Sequence, residues 1–133
     1  MPVELVNPES LGAPIGYSHA AVGRGRYVAL AGMIGWDKSL QLVSDDFVAQ
    51  FDQALSNVVA ALAAAGGRPT DIASLRIYVV DKHVYNVKRK LVGESYRKHM
   101  GKHFPPMALL QVAGLLEPGA LVEIEGVAFV GDE

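Results

Sequence analysis

Residues 121–130 constrain the fold more than any other part of the chain. Side chains on a strand alternate between two faces. Val122, Ile124, Gly126, Ala128 and Val130 therefore form one wholly apolar face, while Leu121, Glu123, Glu125, Val127 and Phe129 share the other. The apolar face calls for a covering layer. The mixed face carries two carboxylates among hydrophobes, which a strand built only for a core would not need. The preceding segment, Pro105 to Val112, reads as a further strand, with Met107, Leu109 and Gln111 on one side and Ala108, Leu110 and Val112 on the other. The simplest reading puts Gln111 on the same mixed face as the two glutamates.

Further elements follow from periodicity. Ser44-Asp45-Asp46 opens a helix with Ser44 as N-cap. Phe47, Phe51, Leu55, Val58 and Leu62 then recur at spacings of four, four, three and four, one helical face, and Gly66-Gly67 ends it. Ala73 to Asp81 is a β-branched, alternating strand. His83 to Met100 reads as a second helix with a looser stripe through Val84, Val87, Leu91, Tyr96 and Met100. Ser18–Val22 and Tyr27–Ile34 flank Gly23-Arg24-Gly25-Arg26 and read as a hairpin. The order β-β-α-β-α-β-β predicts an α+β fold: a mixed sheet with two helices on one face, and the other face left for a partner or water.

Composition narrows the function classes. At 133 residues, the chain is read as one domain spanning 1–133. Half the residues are hydrophobic and the mean hydropathy is +0.22, a surplus that an oligomer interface would hide. A net charge of −2 offers no basic field for a phosphate backbone, so nucleic acid is not an expected partner. Zero cysteines exclude thiolate chemistry and suit a cytoplasmic location. The opening Met1-Pro2-Val3-Glu4 lacks the blocks of a signal peptide, and the longest apolar run, Val58 to Ala65, is too short to span a membrane. The four histidines have no zinc-like spacing, so no metal is expected, and no phosphate-binding glycine loop or nucleophile elbow occurs.

Several short motifs, in order along nearly the whole chain, carry a resemblance. They are Asn7-Pro8-Glu9, Pro14-Ile15-Gly16-Tyr17-Ser18-His19-Ala20, Ala31-Gly32, Gln50, Leu55-Ser56-Asn57-Val58, Ala64-Ala65-Gly66, Phe104-Pro105-Pro106 and Leu121-Val122-Glu123-Ile124-Glu125. On these the sequence resembles the reactive-intermediate deaminase family, RidA/YjgF, also labelled L-PSP endoribonuclease. The resemblance implies a chorismate-mutase-like homotrimer whose sheets form an inner barrel, with clefts for a small metabolite between subunits. It also implies hydrolysis of enamines and imines to 2-oxoacids and ammonia without metal or cofactor.

In that family an arginine clamps the substrate carboxylate, a glutamate and a backbone carbonyl hold the attacking water, and a tyrosine lines the pocket. Carried over, the glutamate falls on Glu123, the tyrosine on Tyr17 and the carbonyl on Leu109. The arginine falls on Met107, a departure, because a thioether cannot bind a carboxylate. Gly32 marks the cleft, but Met33 follows it where a glutamine is common in the family.

Read alone, Glu123 could be a solvated carboxylate or an ion-pair partner, and Tyr17 a turn residue. The resemblance makes both catalytic candidates. His19 could donate a proton or pack, and Trp36 could form a cleft wall. Arg24, Arg26 and Arg76 are the cations that could stand in for the absent arginine. The departure at Met107 also leaves open a non-catalytic member that binds a metabolite or protein. The endoribonuclease label is disfavoured by the acidic pI of about 6.1.

Overall fold

In a computed structural model, which describes residues 2–131, a four-stranded mixed sheet carries its helices on one face. The strands β1 (Val3–Val6), β2 (Ala20–Gly23) and β3 (Arg26–Met33) precede helix α1 (Phe47–Ala64). Strand β4 (Ile72–Val79), helices α2 (Lys82–Val87) and α3 (Arg89–Met100), and strands β5 (Met107–Gln111) and β6 (Val122–Val130) follow. The sheet order is β3-β6-β4-β5, with β4 and β5 parallel and the other pairs antiparallel. This is the α+β architecture expected from the element order.

The alternation of β6 decides how the layers stack. Val122, Ile124, Ala128 and Val130 are buried beneath the helices, whereas Glu123, Glu125, Val127 and Phe129 are only half-buried. From α1, Phe51, Leu55, Val58 and Leu62 pack into the same layer and are almost wholly inaccessible. Each such side chain contributes about 1.5–3 kcal/mol through removal from water. By length and mean hydropathy (1.2), α1 could cross a bilayer. Its buried stripe on the sheet is that of an amphipathic core helix.

Polar groups fix α1 against the sheet ends. Gln50 is fully buried, and its amide donates to the carbonyls of Ser44 (2.9 Å) and Gly119 (3.0 Å). Its oxygen accepts from the Leu121 N–H at 2.8 Å, so the residue is satisfied without water. Asn57 donates to the carbonyls of Ile34 and Trp36, which holds the chain beyond β3.

Five local expectations are corrected. The N-cap of α1 is Asp46, whose carboxylate accepts from the Ala49 N–H; Ser44 instead accepts from the Asp46 N–H. The segment after β4 is two helices, because Asp81 caps α2 and Lys88 leaves the helical range at φ −95°, ψ 12°. Val87 and Leu91 are exposed, and the buried stripe of α3 is Val92, Ser95, Tyr96 and Met100.

The expected hairpin does not form: β2 pairs with β1, and β3 pairs with β6. The β1–β2 ribbon buries Val3, and Gly23 leaves room for the Phe129 ring against it. Finally, β5 and β6 are separated by β4. In this register Met107, Leu109 and Gln111 lie opposite Leu75, Ile77 and Val79 on the helix side, while Ala108 and Leu110 share the open face with Glu123 and Glu125.

Candidate functional site

The loop before β2 is anchored at the start of β5, and that contact positions Tyr17. Ser18 is buried; its hydroxyl donates to the Phe104 carbonyl at 2.7 Å, and its N–H donates to the Pro105 carbonyl at 3.4 Å. Asn7 braces the same turn by accepting from the His19 N–H at 2.7 Å. Tyr17 is thereby held beside Met107 and Leu109, and together with Ile15, Ile77 and Tyr85 these line a cavity of about 250 Å³. A neighbouring cavity of about 470 Å³ shares Ile15, Gly16, Ile77, Tyr85 and Met107 and continues beneath α3 to Phe51, Phe104, Arg89 and Arg97.

His19 stands edge-on to Tyr17, with ring centroids 5.8 Å apart, and its Nδ1 is buried without a hydrogen-bond partner. Tyr96 is buried and lines the larger cavity from α3. Burial pushes its phenol well above the ordinary range, so it stays neutral and donates to the His103 carbonyl.

Glu123 and Gly32 form a second constellation. Leu30 pairs with Gly126 and Met33 with Ile124, so Ala31 and Gly32 together oppose Glu125 in a β-bulge. The bulge brings the glycine under the Glu123 side chain. A Cβ at Gly32 would stand 2.9 Å from the Glu123 carboxylate carbon. Beside it, the Tyr78 hydroxyl donates to Glu125, and this bond raises the tyrosine pKa. Glu125 is thus committed to a neighbour. Among the described residues, no hydrogen bond or ion pair similarly ties down the Glu123 carboxylate.

Within one chain these constellations lie on opposite sides of the sheet. Glu123 pairs in register with Tyr78 on the open face, and Met107 and Leu109 point to the helices. Of the sequence candidates, Tyr17, Met107 and Leu109 are brought together, and so are Glu123 and Gly32. Trp36 joins neither group: it is half-buried in an isolated bridge with Leu42. Arg76 is exposed on the open face opposite Glu125 and lines, with Met107 and Ala108, a separate shallow cavity of about 180 Å³ at the edge of the sheet, whereas Arg26 reaches the Ala65 carbonyl; neither lines the two cavities on the helix side. Sequence reasoning missed Tyr85, Arg89 and Arg97. Among the described residues, no group of three or more His, Asp or Glu could hold a metal ion.

A family model described as Endoribonuclease L-PSP matches residues 8–130. The chain belongs to this family, RidA/YjgF. Human 2-iminobutanoate/2-iminopropanoate deaminase is 36% identical over 118 residues, covering 88% of this chain and 82% of that protein. The 3-aminoacrylate deaminase RutC of Acinetobacter baylyi is 28% identical over 131 residues, covering 98% of this chain and all of that protein. Among solved structures, the Rid-family protein YyfB from Yersinia pestis superposes with a TM-score of 0.84 at 30% identity, covering 98% of this chain and 100% of that one. Named RidA-family relatives thus act on imines and on an enamine, and the fold expected from the resemblance is the family's fold.

Proposed function

We propose that this chain is a cofactor-independent hydrolase of imine or enamine metabolites, with Glu123 positioning the attacking water. The observation that carries the reading is the split of the candidate residues across the sheet. Tyr17 and Leu109 line a cavity on the helix side, whereas Glu123 stands over Gly32 on the open face. A sheet between them prevents their meeting in one chain. A homotrimer, with the open faces turned inward as in the family's barrel, would bring Glu123 of one subunit to the Tyr17 cavity of the next.

In that cleft, water adds to the carbon of the C=N bond. Glu123 accepts its proton and passes it to nitrogen, and the tetrahedral carbinolamine expels ammonia to leave the carbonyl. The balance is imine plus water to oxoacid plus ammonia, with no oxidant or metal. Exposed apolar residues on the open face, Tyr27 and Leu110, would be covered by the neighbouring subunits. The absence of cysteine fits action in the cytoplasm. A net charge of −2 disfavours the nuclease activity in the family's older label.

One observation favours a second reading, a non-catalytic binding protein: Met107 occupies the position of the family's carboxylate-binding arginine. Generating imines in situ with an amino-acid oxidase and following their disappearance, with and without the protein, distinguishes the two. Acceleration supports the hydrolase; saturable binding of a metabolite without acceleration supports the binding protein.

A further inference from the structure

The larger cavity beside Met107 has an uneven charge. Its lining includes two guanidinium groups, Arg89 and Arg97, and no carboxylate. Helices α1 and α3 each carry one acidic side chain: Asp52 is engaged by Lys98, Ser95 and His99, and Glu94 lines a different groove. Among the described residues, neither arginine has a carboxylate partner. Two cations at the mouth of an apolar pocket form an anion site by elementary electrostatics.

The helix brings these groups to one place. Arg89, Gly93 and Arg97 recur at four-residue spacing and so share a face of α3. Helical side chains lean toward the N-terminus, and a Cβ at Gly93 would stand 3.2 Å from Arg97 Nη1. The Arg97 guanidinium therefore lies back over the glycine in the direction of Arg89. Arg89 is steadied in turn by the Asn86 carboxamide oxygen at 2.6 Å and by the Tyr85 ring, 5.8 Å from its centroid. Beneath them, Phe51, Val92, Phe104 and Met107 make an apolar floor.

We infer that Arg89 and Arg97 bind the carboxylate of the ligand from α3, and that Met107 and its apolar neighbours receive a hydrocarbon side chain. The ligand class is a 2-imino or 2-oxo monocarboxylate with an apolar chain of about leucine size, which suits a cavity of about 470 Å³ better than a three-carbon acid does. The inference rests on the reading of the cleft as an imine-hydrolase site, but its test is a binding test and stands without turnover.

Titration calorimetry of the full chain with 4-methyl-2-oxopentanoate, with pyruvate and with the neutral ketone 4-methyl-2-pentanone reads the site directly. The branched oxoacid should bind more tightly than pyruvate. Arg89→Gln and Arg97→Gln should each weaken it roughly tenfold, as expected for loss of a charge-assisted hydrogen bond, while leaving the ketone's affinity unchanged. Both positions are exposed, so the variants should fold, which circular dichroism checks.

The inference is overturned if the Arg89→Gln, Arg97→Gln double variant binds the branched oxoacid as the parent does, or if the parent shows no saturable binding at millimolar concentration. Arginine-dependent binding without imine hydrolysis would retire the proposed reaction and keep this site. Hydrolysis with a KM indifferent to both arginines would do the reverse.

Discussion

The carboxylate of Glu123 lies against Gly32 at a β-bulge, in the space that any side chain at position 32 would occupy. Replacing Gly32 by alanine should therefore push the carboxylate aside and leave the fold standing, because the obstructing group is the end of a flexible side chain. Imine hydrolysis by Gly32→Ala should fall about tenfold to a hundredfold, the scale expected for a misplaced catalytic group. Steady-state kinetics alongside a thermal melt checks this: a lowered kcat with a nearly unchanged midpoint is the expected result.

Asp52 ties α1 to α3. Partial burial opposes its ionisation, but contacts from Lys98 (2.8 Å), Ser95 (2.8 Å) and His99 (3.0 Å) outweigh that and hold its pKa below the ordinary 3.8. A depressed folded-state pKa contributes stability that is present above the unfolded value and lost as pH falls through the folded one. Asp52→Ala should cost about 1–3 kcal/mol near neutrality, chiefly by stranding the buried Ser95 hydroxyl. The gap to the parent should narrow as pH drops below 3.8. Urea unfolding at neutral and acid pH measures both.

The parts of the fold that could be read in advance are those with a strong period. Alternation from Val122 to Val130 and the four-three stripe of Phe47 to Leu62 named the buried face of each element. The face of β5 was misassigned because ten residues separate it from β6, and β4 lies between them, so the parity of the two strands is not fixed by their sequences. Val3–Val6 is too short for its alternation to stand out, and the break at Lys88 carries no glycine or proline to announce it.

Motif matching named Tyr17, Met107 and Glu123 as candidates, and the first two share a cavity. Arg89 and Arg97 escaped notice because cations at four-residue spacing look the same on a solvated helix face as at a cavity mouth. Gly93 between them was the available signal.

Met107 should limit the chain on the smallest substrates. Loss of a charged partner for a carboxylate costs about 2–5 kcal/mol, and about 1.4 kcal/mol is tenfold in rate. The parent should therefore hydrolyse 2-aminoacrylate poorly, and Met107→Arg should gain activity on it. Rates on 2-aminoacrylate generated in situ decide the matter. A parent as fast as Met107→Arg would show that position 107 is not limiting.

Assembly should be trimeric in solution. Light scattering should give three times the 14.2 kDa chain mass. Leu110→Asp, on the open face and exposed in the single chain, should lower that mass while retaining secondary structure. Imine hydrolysis should be lost with the trimer, because the Tyr17 and Glu123 groups then have no partner subunit.

The most direct measurement compares the parent with Glu123→Gln on the imine of leucine, generated in situ and followed by ammonia and 4-methyl-2-oxopentanoate release. The parent should accelerate hydrolysis, and Glu123→Gln, which keeps the side chain's shape, should lower kcat by about a hundredfold to ten-thousandfold, the usual range for a positioned general base. Equal rates for the two proteins, or a parent no faster than buffer, would contradict the assignment of Glu123 as the residue that positions water.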